Sequence, residues 1–237
     1  MPRPPLAAMF DKGQVPTIAC VNAAASPLGV DFRKLVAALQ QFADKCFTPV
    51  WGVACRVIAA DKIAAGNWGM TFIDDPDEAD ALGYHDLTPA GLPLSKVFVK
   101  LAMESDGNVS VTASHELAEM LVDPGIQLCA WNDKAKAFYA YETADACEAL
   151  SFPVNGVPMT DFVYPSWFEG FRKQSSTQFD YLKKIKRPFQ LLPGGYASVF
   201  KGGRWTNLFG SRVAAKTFAA RHPRAARRAA GVRPAGA

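Results

Sequence analysis

The thirteen residues Thr112-Ala-Ser-His-Glu-Leu-Ala-Glu-Met-Leu-Val-Asp-Pro124 constrain this chain more than any other segment. Apolar residues at 113, 117, 120 and 121 recur at helical spacing, and Asp123-Pro124-Gly125 stops the run. A helix over 110–122 follows. On it His115 and Glu119 stand one turn apart on one face, with Glu116 beside His115. An imidazole nitrogen and a carboxylate oxygen at that spacing reach one metal ion. Three His and seven Glu placed at random in 237 residues give His-Glu-x-x-Glu in about three chains per thousand, so chance is a weak explanation. The competing reading is a solvated acidic helix. Helical phase places His115 and Glu119 away from the apolar face, in water or in a cleft.

The surrounding pattern predicts an α+β fold. An apolar run at 15–21 reads as a strand. Asp31 then caps a helix carrying Phe32, Leu35, Val36, Leu39, Phe42 and Cys46. Strands are expected at 51–60, 67–73 and 95–103, with 74–94 as a Gly/Pro/Asp-rich connection containing Gly83-Tyr84-His85-Asp86. The order is therefore β-α-β-β-β-α. Beyond it we expect a helix at 142–150, irregular chain at 151–165 with its three prolines, and a hairpin in 189–209 around Gly194-Gly195 and Gly202-Gly203. This divides the chain into a metal-binding domain at 11–187, a β-hairpin extension at 188–210 and a basic tail at 211–237. The aromatic segments 161–168 and 178–182 read as packing between subdomains.

Composition narrows the function classes. At 49% hydrophobic and 20% charged, the chain is rich enough in apolar residues to exclude wholesale disorder. No apolar run approaches the ~18 residues that span a bilayer, so no membrane partner is expected. The apolar stretch before Asp11 is too short for a secretory leader. Five cysteines without a CxxC pair argue against a disulfide framework and a thiolate zinc site, leaving a single Cys129–Cys147 bridge open. Residues 211–237 hold seven Lys/Arg and no acid, while the rest carries 19 basic and 22 acidic groups, a net of −3. The tail reads as solvated chain able to make weak polyanion contacts. Gly194-Gly195 is not followed by Lys-Ser/Thr, so a nucleotide phosphate loop is unsupported.

A catalytic zinc usually takes three protein ligands. Tyr141-Glu142-Thr-Ala-Asp145-Ala-Cys147-Glu148 is the best source of the third. We favour Glu142 as ligand with Asp145 holding His115, and the reverse assignment stays open. Asp123, one turn beyond Glu119, is a further candidate that also serves simply to end the helix. His85, Tyr139 and Tyr141 are candidate oxyanion or substrate contacts.

Ser114-His115-Glu116-Leu-Ala-Glu119, then Asp123-Pro124, then Glu142-x-x-Asp145-x-Cys147, resembles zincin-like metallopeptidase homologues of the HExxE type. Similar His-Glu-Leu-Ala-Glu blocks occur in phage-associated and bacterial proteins and in phosphate-induced, Exordium-like plant proteins. The resemblance implies a zincin-like mixed sheet before an active-site helix, with topology shared over about 15–150 and specific motifs over 112–148. It implies Zn2+ held by His115, Glu119 and a third acid. Glu116 would take a proton from water and return it to the leaving amine of a peptide or protein substrate. The 95–103 strand would pair with extended substrate. Glu119 stands where most zincin peptidases have His, which adds negative charge and weakens the metal as a Lewis acid. A non-catalytic zincin-fold protein, such as a virion component, is the alternative. The location implied is cytoplasm or a phage particle.

Overall fold

The computed structural model describes residues 15–76 and 82–211, so the basic tail beyond Ser211 lies outside the described residues. Strand β1 (Thr17–Asn22) leads into helix α1 (Phe32–Phe42). Leu35, Val36, Leu39 and Phe42 make the buried face of α1, and Asp31 caps it by accepting from the Lys34 N–H at 2.8 Å. Each buried side chain of this size contributes about 1.5–3 kcal/mol, and the cap about 1 kcal/mol. The helical path continues through a π-type turn (Ala43–Phe47) into α2 (Thr48–Trp51). The second strand is therefore shorter than expected, because Trp51 is helical and β2 covers only Arg56–Ala59. Strand β3 (Trp68–Ile73) falls where expected.

Two expectations fail in the next segment. The connection contains a strand, β4 (Gly83–Leu87). The strand expected at 95–103 is β5 (Pro93–Phe98) followed by a helix, α3 (Val99–Asp106). Lys100, Leu101, Ala102, Met103 and Glu104 are strong helix formers and outweigh the short alternation before them. Helix α4 (Ser110–Val122) has the expected bounds. The first sheet runs β2-β1-β3-β5-β4, parallel except for β4, which lies antiparallel on β5. β5 is thus interior, and β4 is the edge nearest α4.

Past α4 come β6 (Cys129–Asn132) and β7 (Ala137–Ala140), then a 3-10 turn (Asp145–Cys147) instead of the 142–150 helix. The region expected to be irregular holds a hairpin, β8 (Ser151–Val154) and β9 (Val157–Thr160), turning at Asn155-Gly156. The expected C-terminal hairpin is β10 (Tyr196–Lys201) and β11 (Arg204–Phe209). It joins the earlier pair in a second sheet, β11-β10-β7-β6. The fold is α+β.

Helix α4 is central. It packs on β4 and β5 on one side, on α1 laterally, and on β9 on the other. Ser114 fixes the last contact, accepting from the Thr160 N–H at 2.8 Å and donating to the Ser110 carbonyl at 2.9 Å. Ser110 and every residue from Thr112 to Leu121 are consequently buried. The phase-based expectation of a solvated or cleft-facing His115–Glu119 edge is corrected: both faces of the helix are covered. Among the described residues no helix is long and apolar enough to cross a membrane. No disulfide joins any of the five cysteines, so the open Cys129–Cys147 pairing is not formed.

Asp161 ties the strand end after β9 to the chain at 182. One of its oxygens accepts from the Phe162 and Leu182 N–H groups at 2.9 and 3.1 Å. Burial, then the neighbouring Asp180, push its carboxyl up to about 8. An unfolded Asp titrates near 3.9. Between those values the folded chain holds a proton that the unfolded chain has released. Asp161 therefore favours folding fully only at the acidic end of this window, and stability falls as pH rises toward about 8. Asp161→Asn copies the protonated form. Thermal melts from pH 5 to 9 should show a smaller fall for the variant than for the wild type, and equal slopes would refute the assignment.

Candidate metal centre

Two short segments bring the acids to α4. Glu119 Oε1 accepts from the Ala144 N–H at 3.3 Å, which latches the Asp145–Cys147 turn to the helix. The other side of that turn lies against β10. A Cβ at Gly195 would run into the Ala146 carbonyl, and the Leu192 N–H donates to the same oxygen at 3.0 Å. Gly195 therefore sets how closely the second sheet approaches Asp145.

The result is a compact N, O, O donor set. His115 Nε2 lies 3.1 Å from Glu119 Oε1 and 3.1 Å from Asp145 Oδ1. The three donor atoms fall within 4.8 Å of one another. Ligands at zinc bond lengths of about 2.0–2.1 Å in a tetrahedron are about 3.3 Å apart. The observed separations suit that spacing, and the imidazole and carboxylate chemistry suits zinc. The cluster contains Asp145, the arrangement left open beside the favoured Glu142.

A second group shares Glu119. His85, Glu116 and Glu119 also bring donor atoms within 4.8 Å of one another. His85 Nδ1 is 3.6 Å from Glu116 Oε2, and its Nε2 is 3.1 Å from the Asp123 carbonyl. Gly83 makes this possible. A Cβ there would meet the Lys96 carbonyl at 2.8 Å and Glu116 Cγ at 3.1 Å, so only glycine lets β4 lie this close to α4. His85, two residues on, shares the inward face of the strand. Burial opposes charge on His85, but Glu116, Glu142 and Glu119 around it outweigh that and raise its pKa above the ordinary imidazole value.

The other candidates take different places. Glu142 is buried and close enough to act on His85 by charge, but it is outside the His115–Glu119–Asp145 group. Asp123 accepts from the Gln127 and Leu128 N–H groups at 2.8 and 3.0 Å and so closes the turn after α4. Tyr141 stacks on Phe168 with centroids 4.1 Å apart, and Tyr139 packs against Phe189 and Trp167. Both rings serve the second core. The sequence reading missed that His85 sits in a strand; the alternation Gly83, His85 against Tyr84, Asp86 was the available signal.

The electrostatics are one-sided. Glu116, Glu119, Glu142 and Asp145 are each at most 4% exposed, and no Lys or Arg among the described residues is buried. Burying several carboxylates together is costly by several kcal/mol per charge unless protons, the two imidazoles or a cation balance them. A divalent ion is one balance that this donor set could hold. Compared with protein-family models, with curated proteins and with solved structures, the chain matches none.

Proposed function

We propose that this chain is a zinc-dependent hydrolase of peptide or amide bonds. His115, Glu119 and Asp145 would hold the metal, and Glu116 is the general base. The observation that carries the reading is the position of His115 Nε2, 3.1 Å from an oxygen of each acid. Zinc supplies Lewis acidity toward a carbonyl oxygen and toward water. The chain's own groups do the rest. Glu116, adjacent to a ligand but outside the donor set, holds and returns a proton. His85 orients the Glu116 carboxylate from the edge strand. An extended peptide would pair along β4, the edge strand of the first sheet among the described residues, and not along the interior β5. A mostly parallel sheet with one antiparallel edge strand beside the helix that carries His115 and Glu119 supports a zincin-like assignment.

The burial of every donor favours a second reading: a non-catalytic protein of this fold, a virion component for example, with zinc held for stability. Both readings need the metal. Elemental analysis of the purified chain is expected to give about one zinc per chain, lost in His115→Ala and kept in His85→Ala. Metal-free protein after zinc reconstitution would leave His115 as an imidazole hydrogen-bonded between two acids and would end both readings.

A further inference from the structure

Charge is divided unevenly along the described chain. Over 131–211 all ten Lys/Arg are exposed, while of the seven Asp/Glu only Asp133 is. The described residues before 131 carry seven Lys/Arg and eleven Asp/Glu. The basic part also carries the exposed aromatic rings. Trp131 and Phe138 form a cross-strand pair on β6 and β7, with centroids 4.9 Å apart and exposures of 46% and 44%. Phe171 is 74% exposed, and the Arg172 guanidinium lies 5.0 Å from its centroid.

Trp131 and Phe171 line one cavity of about 670 Å³, together with Phe189, Lys134 and Arg187. Ligand sites commonly enclose roughly 300–1,000 Å³. Asp133, also in the wall, is engaged by Lys136 at 2.7 Å and by the Trp131 side chain. The lining therefore combines aromatic rings with two cations against one acid. Neither alone is selective. Apolar ligands do not use the cations, and simple polyanions do not use the rings. A nucleotide chain uses both, since every base has a π-face and every link a phosphate.

We propose that this cavity binds single-stranded nucleic acid, with a base stacked on Trp131 or Phe171 and backbone phosphates at Arg187 and Lys134. The cavity shares no residue with the candidate metal donors. The test is fluorescence anisotropy on the full-length chain, with a short labelled oligothymidylate and its oligouridylate counterpart. Trp131→Ala and Phe171→Ala should each weaken binding about 5- to 100-fold. Arg187→Gln should reduce the log–log salt slope by about 0.7. All three variants keep the tail, so losses cannot arise there. Phe171→Ala, at a highly exposed ring, gives an answer even where Trp131→Ala disturbs β6. A tighter oligouridylate complex identifies RNA as the ligand, and a tighter oligothymidylate complex identifies DNA. No binding of either strand overturns the proposal. So does binding that survives both aromatic substitutions, or a heparin complex that is as tight and as sensitive to Trp131→Ala.

Discussion

Glu116→Gln is expected to leave zinc content unchanged and to lower hydrolysis of a peptide library by about 10²- to 10⁴-fold, the usual worth of a general base. The amide keeps the size of the carboxylate but cannot take the proton. Glu116 is 1% exposed and packs beside Gly83, so an isosteric change is the one the site tolerates. Zinc content is the second readout, because a variant that misfolds would lose the metal together with the activity. A site kept only for stability predicts no hydrolysis by the wild type for Glu116→Gln to lower. Loss of zinc from folded Glu116→Gln would instead make Glu116 a ligand and move the ion toward His85.

Helix α4 was legible in the sequence because its two signals are local. The apolar spacing fixed its period and Asp123-Pro124 fixed its end. Its environment was not legible. The Asp145–Cys147 turn covers the edge that phase assigned to solvent, through a contact 25 positions away from Ala144 to Glu119, and the hairpin β8–β9 covers the Ser114 side across 46 positions. The hairpin itself was readable: Asn155-Gly156 is a strong two-residue turn signal, and the neighbouring prolines obscured it. The 142–150 segment shows the opposite failure. Its composition suits a helix, but Asp145–Cys147 makes a single 3-10 turn between the Ala144 latch on Glu119 and the approach of Gly195. That choice decides which acid faces His115. Spacing favoured Glu142 and left Asp145 open, and a tertiary contact brings Asp145 to His115. His85 was visible only as a loop residue, because β4 is short and exists through pairing with β5.

Chelation is expected to lower the melting temperature of the wild-type chain by about 8–16 °C. Binding to the folded state alone, at free metal a thousandfold above Kd, stabilises by about 4 kcal/mol. Each kcal/mol shifts the midpoint by about 2–4 °C in a chain of this size. The shift has a structural location. Glu119 and Asp145 connect α4 to the turn beneath β10, so the ion would tie the helix layer to the second sheet. Without it, the buried acids must take up protons or separate, and the latch between Ala144 and Glu119 is the first bond at risk. Local opening should therefore appear as faster hydrogen exchange around 142–148 before β1 and β3 respond, since those strands lie in the other sheet. In His115→Ala the chelator should change neither melting nor exchange. An equal chelator response in that variant would place the ion elsewhere, and the His85–Glu116–Glu119 group is where it would then be sought.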